Sequence, residues 1–262
     1  MPSSDDATRK LRSGSREPLL RVEGLSVELP LAGGSLRAVD GVDLRLLRGQ
    51  TLAVVGEAGA GKSTLAAAIL GAVPRSAGKL VFDGKDLGTL GGAELHEALS
   101  QMRLLTRATF AGPDALAAAT VREPKLLVFD EAFDDFDAAA CLRIFSELQR
   151  LQDERGLSCL VLTRSLALAR ALSDQLLVML AGQVVETGRT VNVVDQPQHP
   201  YTRSLSERSP LEVAGQSVAS GCRFRMRCPL AFARCAEEVP ALSAVPGGLC
   251  RCFLHDPDAP ER

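Results

Sequence analysis

This 262-residue chain has no tryptophan, one tyrosine and an aromatic fraction of only 4%, so its 46% apolar content must build an interior from aliphatic side chains. It has no excess of either charge. The 30 Lys and Arg balance 32 Asp and Glu to a formal net charge of -2, which gives no reason to expect nucleic acid as the main partner. Arginines cluster only locally, at Arg223, Arg225 and Arg227. No apolar run reaches the roughly 18 residues needed to span a bilayer, and the N-terminus lacks the apolar stretch of a secretory signal. Met1 to Pro18 is polar and mixed in charge, and is expected to be a disordered tail. These absences place the expected compartment in the cytoplasm, with the chain held at most peripherally on the inner face of the plasma membrane by other proteins. The length supports one substantial core plus a small appendage.

What is present begins with Gly56-Glu57-Ala58-Gly59-Ala60-Gly61-Lys62-Ser63-Thr64, directly after the apolar strand candidate Leu52–Val55. This is a complete phosphate-binding loop. Its glycines let backbone N–H groups curl around a polyphosphate, Lys62 reaches the β- and γ-phosphates, and the Ser63 hydroxyl suits Mg²⁺. A helix opening at Lys62 adds the positive end of its dipole. A nucleoside triphosphate with Mg²⁺ is the expected ligand. A second acidic element, Asp130-Glu131, ends the apolar run Leu126–Phe129, where a doubly wound sheet keeps its ligand-facing residues. Asp130 suits Mg²⁺ and Glu131 suits the attacking water. The plainer alternative is a solvated strand end leading into the acidic turn of Asp134, Asp135 and Asp137.

Around these motifs the pattern alternates. Strands are expected at Leu19–Leu29, Leu36–Leu46, Lys79–Phe82, Lys125–Phe129, Leu157–Leu162 and Gln175–Met179, with a tight turn at Asp83-Gly84. Helices are expected at Lys62–Leu70, Ala93–Leu105 and Leu166–Leu172. Another runs from an Asp137 cap to about Gln152, with Leu142, Phe145, Leu148 and Leu151 at helical spacing. The stretch Thr106–Thr120 has no clean period. Strand–helix alternation after a phosphate loop predicts an α/β fold with a mostly parallel sheet.

From about Pro197 the composition turns rich in Pro, Arg and Cys. Five of the seven cysteines lie there, and Cys222, Cys228, Cys235 and Cys252 are separated by five, six and sixteen residues. In a cytosolic chain such clustering points to metal before disulfides. Converging thiolates could hold zinc or an iron–sulfur cluster, with Cys250 competing as fourth ligand; free thiols in a packed tail are the plain alternative. Cys141 and Cys159 fall in apolar patterns and are expected to be buried, and His199 is expected to be structural.

Taken together, these stretches resemble the ATP-binding subunits of ABC transporters of the dipeptide/oligopeptide importer type. The resemblance rests on Ala38–Val42, Gly56–Thr64, Pro124–Glu131 and Gly182–Gly188. More specific to the importer branch are His199–Leu205 and Gly221–Pro229. It implies a P-loop NTPase of the ABC type over residues 19–196, a C-terminal extension over 197–262, a sister ATPase and membrane permeases as partners, and a [4Fe–4S] cluster on the cysteines with Zn²⁺ as the alternative.

The pattern also departs from that family. Lys62 and Asp130 lie only 68 residues apart, implying loss of most of the helical subdomain. The family's signature segment, which completes the partner's ATP site, is absent; Leu99–Arg103 is a shrunken echo without its glycines. Ala111 stands at the glutamine-loop position, Arg164 replaces the switch histidine, and Leu29 replaces the aromatic that stacks on adenine. Ala58 replaces a serine of the loop. These departures imply a weak or degenerate ATPase. The alternative is a nucleotide-binding regulatory or assembly protein without useful turnover.

Overall fold

The computed structural model describes residues 17–31, 34–206 and 220–256. Of the expected N-terminal tail, residues 1–16 lie outside the described residues, and Pro18 is already the first residue of a strand. Two sheets organise the chain. Strands β1 (Pro18–Leu31), β2 (Gly34–Leu47), β4 (Ala77–Phe82) and β5 (Lys85–Asp86) form an antiparallel sheet in the order β2-β1-β4-β5. The β4–β5 connection is the expected tight turn. Asp83 and Gly84 have φ of 51° and 76°, the left-handed pair that matches the twist of a two-residue hairpin.

The second sheet has eight strands in the order β11-β12-β10-β9-β3-β8-β7-β6. Its centre is β3 (Thr51–Val55), flanked in parallel by β8 (Ser158–Thr163) and β9 (Gln175–Leu180). Beyond β8 lie β7 (Leu126–Asp130) and β6 (Met102–Thr106), also parallel. On the other side β10 (Gln183–Arg189) turns antiparallel, and the hairpin of β11 (Ser243–Val245) and β12 (Gly248–Cys250) extends the sheet. The C-terminal segment is therefore built into the main sheet through its pairing with β10.

The apolar runs read as strands are buried on both faces. Along β7 and β8, Leu126, Val128, Leu160 and Leu162 enter one core cluster, and Leu127, Phe129, Cys159 and Val161 enter another. Such two-sided burial is why these strands lack polar alternation. The first core lies between the two sheets and takes in Leu65 and Ile69 of helix α1 (Lys62–Ile69). The second lies beneath α3 (Pro113–Thr120) and α4 (Ala138–Arg155), where Phe110 packs edge-on against Phe129 with ring centroids 5.4 Å apart. Asp137 caps α4 as expected, its Oδ1 accepting from the Ala140 N–H at 2.7 Å.

Three local expectations are corrected. The stretch 93–105 is not one helix. Helix α2 spans Gly92–Ser100, and the chain then becomes β6. Pairing of Met102–Thr106 in register with Leu126–Asp130 satisfies the backbone of β7's outer edge, and that tertiary gain overrides local helical spacing. In α4, Leu148 and Leu151 are buried but Leu142 is 66% exposed, so the apolar stripe begins one turn later than its spacing predicts. Cys159 is buried, and burial pushes its thiol up to about 12, whereas Cys141 is only half-buried. The remaining helices are α5 (Leu166–Leu172), α6 (Thr190–Asp195), α7 (Pro200–Ser206) and α8 (Ala233–Glu237). Among the described residues no helix is long and apolar enough to cross a membrane.

Candidate nucleotide site

The phosphate loop connects the central strand β3 to α1. Two of its glycines are required by close approach. A Cβ on Gly56 would lie 2.3 Å from the Met179 carbonyl oxygen, and one on Gly61 would lie 2.2 Å from that of Ala38. Gly61 also caps α1 with φ of 98°, a left-handed conformation that favours glycine, and no side chain caps the helix's first N–H groups. Lys62 is only 4% exposed. Its ammonium donates to the carbonyls of Gly56 at 2.8 Å and Glu57 at 2.9 Å, and lies 3.5 Å from the Glu131 carboxylate. Desolvation lowers its pKa below the ordinary lysine range, against the opposing pull of Glu131.

Asp130 and Glu131 sit at the end of β7, facing this loop. The Ser63 hydroxyl donates to Asp130 Oδ1 at 3.1 Å, so two oxygen ligands of the kind Mg²⁺ prefers stand side by side. Glu131 adopts φ of 49°, held by its N–H donating to the Leu162 carbonyl at 3.0 Å. That backbone turn aims its carboxylate between two cations, Lys62 Nζ and Arg164 Nε, each 3.5 Å away. Arg164 also reaches Asp134 at 3.4 Å. Arg164 thus pairs with both neighbouring carboxylates. Ala111 is exposed and takes no part in lining the site; Thr106, Arg107 and Ala108 form that wall instead.

The loop opens into a cleft of about 940 Å³, large enough for a nucleotide. Its far side comes from the C-terminal segment, which sequence reasoning did not connect with the loop. The Glu57 N–H donates to the Tyr201 hydroxyl at 3.0 Å. Both terminal nitrogens of Arg227 donate to the Glu57 carboxylate at 2.9 Å, a bidentate pair joining positions 170 residues apart. Arg227 lies over the rings of Tyr201 and Phe224, while Arg223 donates to Asp40 and to the Ala181 carbonyl. No local pattern reveals such a long-range clamp; the arginine cluster was its only trace.

The segment is anchored by Glu186 and His199. Glu186, 2% exposed, accepts from the N–H groups of Gln198 at 2.8 Å and His199 at 2.9 Å. The His199 ring accepts from the Tyr201 N–H at 3.0 Å, and burial pushes its pKa down to about 3. Its expected structural role follows from this geometry, with a consequence in pH. Below about pH 6.5 the unfolded chain binds a proton that the folded chain refuses until about pH 3. Stability therefore falls as pH drops through that window, by up to about 1.4 kcal/mol per pH unit from this residue. Urea titrations between pH 7 and 5 should show a shallower loss for His199→Gln, which keeps an acceptor but cannot protonate; parallel slopes would remove His199 as the cause.

The expectation of an iron–sulfur cluster or zinc on Cys222, Cys228, Cys235 and Cys252, with Cys250 as the alternative ligand, is not met. Among the described residues no group of three or more His, Cys, Asp or Glu side chains is placed to hold a metal ion. The described cysteines are free thiols, and burial raises the pKa of Cys222, of Cys250 and of Cys252, the last to about 11. Metal ligation requires the thiolate, which such burial disfavours. Cys222, Cys228, Cys235 and Cys252 line one cavity of about 10 Å³, walled by Phe224, Leu230 and Phe253. That is about the room for one water. Cys250 lies in β12, and Cys222 and Cys228 pack against the apolar cluster containing Tyr201 and Phe224.

A phosphate loop on a central parallel strand, facing a carboxylate pair and packed against an antiparallel sheet, defines an ATP-binding domain of the ABC-transporter class. Residues 39–113 match the ABC transporter family, and residues 185–235 match the oligopeptide/dipeptide transporter C-terminal region. The chain belongs to the family of oligopeptide-transporter ATP-binding proteins. It is 30% identical to the oligopeptide transport ATP-binding protein OppF of Escherichia coli, over 92% of this chain and 98% of that protein. OppF of Salmonella typhimurium is 29% identical over the same shares. Among solved structures, cbiO1 of Clostridium perfringens, part of the cbiONQ ABC transporter complex, shares the fold with a TM-score of 0.61. It is 20% identical, over 72% of this chain and 96% of that one. The ATP-binding cassette MJ0796 bound to ADP and Pi matches with a TM-score of 0.58 at 15% identity, over 65% of this chain and 98% of that one.

Proposed function

We propose that this chain is the ATP-binding subunit of a peptide-type ABC importer, acting with a sister ATPase and membrane permeases that hold it at the inner face of the plasma membrane. The observation that carries this reading is the bidentate Arg227–Glu57 clamp. Through it, the segment typical of oligopeptide transporters becomes part of the phosphate loop's own site. In this reading the backbone of residues 56–64 and Lys62 bind the phosphates of ATP. Ser63 and Asp130 would hold Mg²⁺, which neutralises charge on the transferring phosphoryl group. Glu131 orients the attacking water.

Residues 19–196 act as the nucleotide-binding domain and 197–262 as its extension. In this reading the helical subdomain is shortened, a reading supported by the alignment to the Escherichia coli relative, which runs over 326 positions against the 262 residues of this chain. Between α2 and β7 the chain has room only for β6 and α3. Turnover is correspondingly slow, with most of the work falling to the sister subunit. A regulatory or assembly role without useful turnover is the second reading, favoured by the pairing of Glu131 with Arg164.

The test is reconstitution with the sister ATPase and permeases of the same organism. ATP-driven uptake of labelled peptide that requires this chain and is reduced by Glu131→Gln supports the importer reading. Uptake that requires the chain but ignores Glu131→Gln supports the second. Failure to assemble with the permeases overturns the importer reading.

A further inference from the structure

We infer that Met226 is the residue that contacts the nucleotide base, an inference that rests on the nucleotide reading above. The phosphate loop fixes where the triphosphate ends, which leaves the remainder of the cleft for the nucleoside. That part is lined by Leu29, Leu36, Arg37, Arg223 and Met226. No aromatic side chain is among the described residues that line the cleft, so the base has no ring to stack on. The cations there already have partners. Arg37 pairs with Glu28 at 3.1 Å and Asp40 at 3.3 Å, and Arg223 pairs with Asp40.

Met226 is different. It is 68% exposed, although the residues on either side of it in the chain are tied down. Phe224, at 1% exposure, packs on Tyr201 with ring centroids 5.5 Å apart, and Arg227 grips Glu57. A large apolar side chain is thus presented to the cleft from a backbone held on both flanks. Its thioether is polarizable and favours contact with a π-system. Together with Leu29 and Leu36 it makes an apolar surface for a flat ring. Such a surface stacks on adenine and guanine alike, and the guanidinium groups beside it are engaged with Glu28 and Asp40. The extension then both positions the loop, through Arg227, and supplies the base contact, through Met226.

The experiment is equilibrium binding of Mg²⁺ complexes of ATP, GTP and inorganic triphosphate to the full chain and to Met226→Ser and Met226→Phe. At an exposed position neither substitution threatens the fold, which circular dichroism verifies. Met226→Ser is expected to weaken ATP and GTP by about threefold to tenfold and to leave triphosphate unchanged, with Met226→Phe restoring nucleoside affinity. Loss of triphosphate affinity equal to that of ATP, or no change with any ligand, overturns the assignment of Met226 while leaving the nucleotide reading intact. A wild-type chain that binds none of the three overturns the nucleotide reading and this inference with it.

Discussion

Lys62→Ala is expected to weaken Mg²⁺-ATP binding by about tenfold to a hundredfold, which corresponds to the roughly 1.5–3 kcal/mol of a hydrogen bond to a charged group. The size of the effect follows from what Lys62 does without ligand. Its ammonium is buried and already stripped of most water, with two carbonyls and the Glu131 carboxylate as temporary partners. Phosphate oxygens exchange for those partners without a second desolvation cost, and they carry more charge than the carbonyls they replace. Alanine leaves the Gly56 and Glu57 carbonyls unpaired by any ammonium and leaves Arg164 as the remaining cation beside Glu131. Calorimetric titration of the folded variant measures the loss. A change of less than about threefold would remove Lys62 from the phosphate site. The pH dependence has a definite sign. Binding needs the charged ammonium, whose pKa is held below the ordinary lysine range by desolvation. Affinity therefore declines as pH rises, beginning earlier than for an ordinary lysine, and Lys62→Arg should remove that alkaline decline.

Local chemistry made one half of this site legible in the sequence. Gly56 to Thr64 encodes a strand-to-helix turn in which glycines are required by backbone contacts, and Asp130-Glu131 ends an apolar strand. Both depend on short-range pattern. The chain Leu126-Leu127-Val128-Phe129 could be read as a buried strand because both its faces meet apolar clusters. What escaped depends on long-range pairing. Met102–Thr106 becomes a strand because β7 offers an edge, not because its own spacing differs clearly from a helix. Arg227 meets Glu57 because β10, β12 and the buried Glu186 hold the extension against the loop. The cysteines illustrate the opposite error. Their spacing fits a metal site, but spacing says nothing about solvation. In the folded chain they line a space fit for one water, and burial biases Cys222 and Cys252 toward thiols.

Glu131→Gln is expected to lower single-turnover ATP hydrolysis by about 10²–10³-fold, within the range for a general base or water-positioning group, while Mg²⁺-ATP binding holds or tightens. The carboxylate is the only group lost, since glutamine keeps its shape. Binding is spared because Glu131 competes with phosphate for Lys62, and an uncharged amide releases the ammonium. The same geometry explains why the wild type should itself be slow. A carboxylate lying 3.5 Å from both Lys62 and Arg164 aims its lone pairs at cations, whereas catalysis needs them aimed at water. Nucleotide draws Lys62 away, but Arg164 stays, held also by Asp134. Arg164→Ala should therefore raise turnover, and it should do so only when Glu131 is present. In the double variant the gain should vanish, because Arg164 acts through that carboxylate. Phosphate release from the four proteins, measured at saturating ATP, decides the matter. If Arg164→Ala accelerates the Glu131→Gln background as much as the wild type, Arg164 acts on the phosphates directly. A low rate would then need a cause other than the pairing of Arg164 with Glu131.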